Sequence, residues 1–220
     1  MNIILIILAI LPPVLLLYYV YKKDLYEKEP RSLIIKSFLF GGISIIPVVI
    51  LELTFELFEF QSLLWYVLIG IAFVEEGVKF LILRYYAYTK SEFNEPYDGI
   101  VYAVAISLGF ATVENIGYVF TYAPGSELTV AIIRMFSAIP LHAACGVLMG
   151  YYVGLSKFNS SKEMENFIIG LLLAILLHGL YNYFLFLGNT GYLSIIALII
   201  GIYYAKKSIK LHQKNSPFKE

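Results

Sequence analysis

The sequence predicts an all-α protein: a polytopic membrane helix bundle of about seven transmembrane helices, with the N-terminus outside and the C-terminus cytoplasmic. Three observations lead there. The 220 residues are 60% hydrophobic and 15% charged, with a mean hydropathy of +0.77, outside the range of soluble domains. Seven apolar segments approach the roughly 20 residues needed to cross a hydrocarbon core about 30 Å thick. Lys and Arg collect in alternate connections, as they do on the cytoplasmic side of membranes.

The first segment, 3–21, follows neither a basic leader nor a small-x-small cleavage site, so it reads as a retained span. Segments at 37–57, 63–87, 98–122, 130–155, 166–187 and 190–206 come next. Gly188-Asn-Thr-Gly191 turns the last two into a hairpin, because one helix through both would be about twice the length a bilayer needs. Lys22, Lys23, Lys28, Arg31 and Lys36 lie between the first two spans, and Arg84 and Lys90 end or follow the third. Lys157 and Lys162 follow the fifth, and Lys206, Lys207, Lys210, Lys214 and Lys219 end or follow the seventh. Of the sixteen basic residues, only Lys79 and Arg134 fall well inside spans.

Residues 1–206 thus read as one transmembrane domain, and 207–220 as a short basic cytoplasmic tail near anionic headgroups. The lipid bilayer is the implied partner. A net charge of zero without a basic stripe excludes a nucleic-acid partner. The single cysteine, Cys145, excludes a disulfide framework and a cysteine-rich metal site.

The third segment contains Glu75, Glu76 and Lys79 in an otherwise apolar run. A charge at the centre of a bilayer costs roughly 2.5–3.5 kcal/mol on insertion scales, so folding alone does not ask for it. Steps of three and four residues put Lys79 beside both carboxylates on one helix face. Span four carries Glu114 and Asn115 in Phe110-Ala-Thr-Val-Glu-Asn115, span five carries His142 just after Pro140, and span six carries His178 and Asn182 one turn apart. At about 1.5 Å of rise per residue, Glu75, Glu114, His142 and His178 share one depth between the midplane and the outer face. Facing helices then line an intramembrane site. Pro140 removes a helical hydrogen bond and predicts a kink beside His142. Glu52, Glu56 and Glu59 read as a solvated acidic rim. Asp98 reads as an N-terminal helix charge, and Arg134 can snorkel or pair with Glu127.

The set Glu75-Glu-x-x-Lys79, Phe110-x-x-x-Glu114, His142 and His178-x-x-x-Asn182 resembles the PrsW family of bacterial intramembrane proteases. It is similar, more distantly, to the CAAX prenyl protease and related glutamate-dependent membrane endopeptidases, except that Glu114 stands where their second motif has His. The resemblance implies a multi-pass protein of the bacterial cell membrane that makes the first cut in a single-span, membrane-anchored anti-sigma factor on its extracytoplasmic side. That cut releases an envelope-stress sigma factor.

Peptide hydrolysis needs an activated water, an oxyanion stabiliser and a proton for the leaving amine. The expected roles are Glu75 as general base, Glu76 and Lys79 tuning its protonation, and His178 with Asn182 polarising the oxyanion. In a metal-dependent version, Glu114, His142 and His178 supply three ligands to Zn2+ and leave a position for water. Two other classes are compatible with buried Glu, Lys and His. One is a proton-coupled transporter, which would show paired halves, and the other is a non-catalytic receptor.

Overall fold

The computed structural model describes residues 2–122 and 124–219, whose regular elements are all helices, with no strand among them. The elements are α1 (Asn2–Lys23), α2 (Arg31–Ile43), α3 (Ile45–Glu56), α4 (Leu63–Trp65), α5 (Val74–Ile82), α6 (Pro96–Gly117), α7 (Glu127–Phe136), α8 (Ala138–Phe158), α9 (Glu163–Phe186) and α10 (Tyr192–Lys214). Among the described residues, six stretches are long and apolar enough to cross a membrane: Ile3–Lys23, Arg31–Glu56, Pro96–Thr121, Glu127–Phe158, Ser160–Phe186 and Tyr192–Lys214.

The predicted third span, 63–87, forms as a continuous helical run of mixed character. Widened π turns at Tyr66–Phe73 and Leu83–Ala87 flank α5. π turns are rare and cluster at functional sites, and here the longer run ends one residue before α5 and two before Glu75.

Three boundaries differ from the sequence expectation. The second span starts at Arg31, just after Pro30, so Arg31 and Lys36 belong to the helix rather than to a loop. Long basic side chains can leave a helix end for the interface, which is why they masked its start. The fifth span is two helices, broken at Ser137 (φ −124, ψ −73). Pro140 falls in the first turn of α8, where its missing N–H costs nothing. The last helix runs past 206 to Lys214. The hairpin before it turns at Gly188, whose φ of +65 suits glycine.

The core centres on α6, in which every residue from Tyr97 to Thr112 is buried. Its close packing comes from glycines. Gly146, Gly150 and Gly154 recur every four residues along α8, and a Cβ at Gly150 or Gly154 would collide with the backbone carbonyl of Gly99 or Pro96 on α6. On the other side, a Cβ at Gly41 or Gly109 would collide with the carbonyl of Ile106 or Phe38, locking α2 onto α6. Small residues at such spacing let membrane helices approach to backbone contact. The outward faces of α1 and α10 present Ile3, Ile7, Ile195 and Ile199, as a lipid-facing surface requires.

Asp98 does more than complement a helix dipole. Its Oδ2 accepts the backbone N–H groups of Asn94 and Glu95, both at 2.7 Å, which caps α6. α6 thereby has a fixed start, and Phe110, Glu114 and Asn115 near its other end are held in register with α5 and α8.

Candidate active site

Glu75, Glu76 and Lys79 lie on the buried face of α5, at 4%, 0% and 1% exposure, with His142 and His178 at 2% each. Lys79 Nζ donates to Glu75 Oε2 at 2.9 Å and to Glu76 Oε1 at 2.8 Å, and it lies 3.3 Å from His142 Nδ1. Its third face is covered by the ring of Phe110, whose centroid is 4.0 Å away, a cation–π contact strengthened by the absence of water. His178 Nδ1 lies 2.9 Å from Glu76 Oε1 and 3.9 Å from Glu75 Oε2, and the two imidazoles meet edge to face at 5.1 Å. Gly179 sits beside this contact, where a Cβ would press on the end of the Leu68 side chain.

Glu114, on α6, stands one layer behind. Its Oε2 is 3.0 Å from His142 Nε2 and accepts from the Arg134 guanidinium at 2.7 Å. Of the expected ligands Glu114, His142 and His178, the two histidines lie in the converging donor group and Glu114 lies outside it. The donors that converge are one atom each from Glu75, Glu76, His142 and His178, all within 4.8 Å of one another. Glu114 is drawn aside by Arg134. The expected partner of Arg134 is also corrected, since Glu127 is occupied at the start of its own helix by the N–H of Gly125. Asn182 is one turn beyond His178 and half-buried, and among the described residues its side chain makes no hydrogen bond.

Two carboxylates against one ammonium leave the Glu75–Glu76–Lys79 group with one uncompensated negative charge, while Glu114 and Arg134 cancel each other. Glu76 Oε2 is buried with no hydrogen-bond partner among the described residues. An orphaned carboxylate oxygen, two imidazoles and a surplus negative charge fit a divalent metal, for which His nitrogen and Glu oxygen are ordinary ligands.

Sequence reasoning placed Glu52 on a solvated rim. The structure sets it half-buried on α3, within electrostatic reach of Glu75, Glu114 and Lys79. The step from Glu52 to Glu56 was visible, but nothing in it distinguished an inward from an outward face. Cys145 is buried, its Sγ 3.6 Å from the Ala174 carbonyl oxygen, and Ser107 is buried without a hydrogen bond to its hydroxyl. Among the described residues, neither hydrogen-bonds to a base that could activate it.

A second acidic group lies at the other end of the bundle, where the α1–α2 connection meets the start of α6. Glu27, Glu29 and Asp98 each place a carboxylate oxygen within 4.8 Å of the others. Tyr102 donates to Glu29, Ser216 donates to Glu95, and Asp24 Oδ2 accepts from the Glu29 N–H at 3.3 Å. Burial pushes the Asp24 carboxyl up to about 7. Burial and then the Asp98 charge raise Glu29 well above the carboxylate range.

Comparison with known proteins agrees with this geometry. The profile described as PrsW family intramembrane metalloprotease matches residues 29–205. Protease PrsW of Clostridioides difficile (strain 630) is 38% identical over 206 residues, 91% of this chain and 86% of that protein. Protease PrsW of Bacillus subtilis (strain 168) is 35% identical over 179 residues, 80% of each. Protease PrsW of Halalkalibacterium halodurans is 34% identical over 208 residues, 92% of this chain and 94% of that protein. No solved structure matches the chain. With the site assembled from four separate helices and the likeness running through nearly all of them, the chain belongs to the PrsW family of intramembrane proteases.

Proposed function

We propose that this membrane protease makes the first cut in a single-span, membrane-anchored anti-sigma factor, on the extracytoplasmic side, and so activates an envelope-stress sigma factor. Family membership makes the chain a protease and sets aside the transporter and receptor readings. The observation that carries the chemistry is the buried group of Glu75, Glu76, His142 and His178 around Lys79.

In this reading Glu75 is the general base. It is the more exposed of the paired carboxylates, and only its Oε2 is engaged by Lys79. Glu75 takes a proton from the attacking water and returns it to the leaving amine. Glu76 accepts from His178 Nδ1, and in the imidazolium form the Nε2 N–H is left to polarise the scissile carbonyl together with the Asn182 amide. Lys79 bridges the two carboxylates in a buried site, where electrostatic contacts are strengthened. When a divalent metal such as Zn2+ is bound, Glu75, Glu76, His142 and His178 would hold it, and it would supply Lewis-acid polarisation of the carbonyl.

The test is co-expression with a tagged single-span anti-sigma factor. Glu75→Gln and Glu76→Gln are expected to leave the substrate full length while enzyme levels persist. Normal cleavage by the double variant would sink the proposed chemistry. Protease accessibility of a tag placed on either end of the enzyme checks the extracytoplasmic placement, since the reading requires an external N-terminus.

A further inference from the structure

We propose that Arg134 is a positioning residue for this centre, acting through Glu114 to orient His142. The inference rests on the proteolytic reading above and adds a residue that lies outside the converging donor group. Arg134 uses two different N–H groups on two adjacent residues of α6: Nε donates to Asn115 Oδ1 at 2.5 Å and an Nη to Glu114 Oε2 at 2.7 Å. The guanidinium also packs over the Tyr118 ring, 3.9 Å from its centroid, so its plane is fixed from a third direction.

The oxygen of Glu114 that Arg134 holds is the one that meets His142 Nε2 at 3.0 Å. A single carboxylate oxygen thus joins α7 to α8 across the break at Ser137. Arg134 and His142 belong to different helices of a broken pair, and Glu114 supplies the link that the backbone gives up there. Arg134 is 14% exposed at its side chain and Glu114 16%, so the pair is shielded from solvent, and a bidentate guanidinium there is not equivalent to an ammonium. Without Arg134, Glu114 becomes a shielded, uncompensated anion, and the His142 ring loses its fixed acceptor. Removing an outer partner of this kind commonly costs 10–100-fold in activity or metal affinity.

The experiment uses the full chain reconstituted in lipid with a purified single-span substrate, measuring kcat and KM for Arg134→Gln, Arg134→Lys, Glu114→Gln and the Arg134→Gln/Glu114→Gln double variant, alongside their melting temperatures. Arg134→Gln is expected to lower kcat 10–100-fold with KM within about twofold, and Arg134→Lys to recover part of the loss. The double variant is expected to be no slower than Glu114→Gln alone, because both changes cut one link. If Arg134→Gln does not fold, the Arg134→Lys split and the double variant, which removes both charges, carry the test.

An unchanged kcat in Arg134→Gln, a loss confined to KM, or losses that multiply in the double variant would overturn the inference while leaving the protease intact. A parent chain that cleaves nothing overturns the proteolytic reading and this inference with it.

Discussion

Lys79 Nζ stands 3.3 Å from His142 Nδ1, and that contact assigns the tautomer of the ring. An ammonium has three protons and no lone pair, and Glu75 and Glu76 take two of them. The third points at Nδ1, which accepts, so Nε2 carries the ring proton and donates to Glu114, and a metal held by His142 would take the place of the Lys79 contact at Nδ1. Lys79 therefore does two things at once. It offsets charge on α5, and it orders a histidine 63 residues away.

Replacing Lys79 with Met, which fills similar space without charge, is expected to strand two buried carboxylates and free His142. Removing one partner of a buried ion pair costs about 3–5 kcal/mol. Thermal unfolding in detergent should register that loss, and substrate cleavage should fall at least 100-fold. Lys79→Arg is expected not to rescue activity, since a planar fork cannot direct three protons from one nitrogen to the three separate acceptors on Glu75, Glu76 and His142. Near-parental cleavage by Lys79→Met would show that the ammonium is dispensable.

The converging donors make a prediction about metal content that is independent of activity. Protein purified without chelator is expected to retain a divalent metal, measured by elemental analysis. His178→Ala and Glu76→Ala should each lower it at least tenfold, as loss of a direct ligand does. Glu52→Gln, on the periphery, is expected to leave it unchanged. Equal metal in parent and ligand variants would mean that Glu75, Glu76, His142 and His178 hold no metal, and that their chemistry is the carboxylates' own.

That Glu75, His142 and His178 meet from three helices was legible in the sequence because a charge in an apolar helix is expensive enough to mark itself, and equal depth leaves few other places for such groups to meet. The placement of Glu114 was not. Which oxygen faces Arg134 depends on the helix break at Ser137, and a lone Ser ahead of Pro140 does not announce where a kink falls. The π turns before Glu75 were hidden for a related reason, since i→i+5 bonding leaves the apolar pattern of Tyr66–Phe73 unchanged. The glycines at 146, 150 and 154 were visible at a regular spacing, yet the sequence does not say which helix they face.

That glycine stripe predicts sharply different outcomes for similar substitutions. Gly150→Leu places a side chain into the Gly99 backbone, so α6 and α8 must separate and carry Glu114 away from His142. Loss of folded protein, or cleavage reduced at least tenfold in what survives, is expected. Gly117→Ala, where an added Cβ meets nothing within 4 Å, should be neutral or stabilise the helix by up to about 1 kcal/mol. Melting temperatures of the two variants check this, and equal values would mean that α6 and α8 are not held by close backbone contact.

The acidic group outside the spans gives a pH dependence whose sign is opposite to that of an ordinary ion-paired carboxylate. Asp24 is raised from 3.8 to about 7, chiefly by burial, so between those values the folded chain keeps a proton that the unfolded chain has released. Stability therefore falls as pH rises across that window. The contribution is complete below about pH 4 and lost as pH passes 7. A shift of about three units corresponds to at most about 4 kcal/mol. Asp24→Asn keeps an oxygen to accept the Glu29 N–H and removes the titrating group. The variant is expected to be more stable than the parent at pH 8 and to have a flatter profile between pH 4 and 8. Glu29 is raised further and stays protonated across this range, so once the unfolded carboxyl has released its own proton it adds a constant downward slope that parent and variant share. Unfolding curves in detergent at pH 4, 6 and 8 provide the measurement, and parallel profiles for parent and variant would show that Asp24 is not held protonated by the fold.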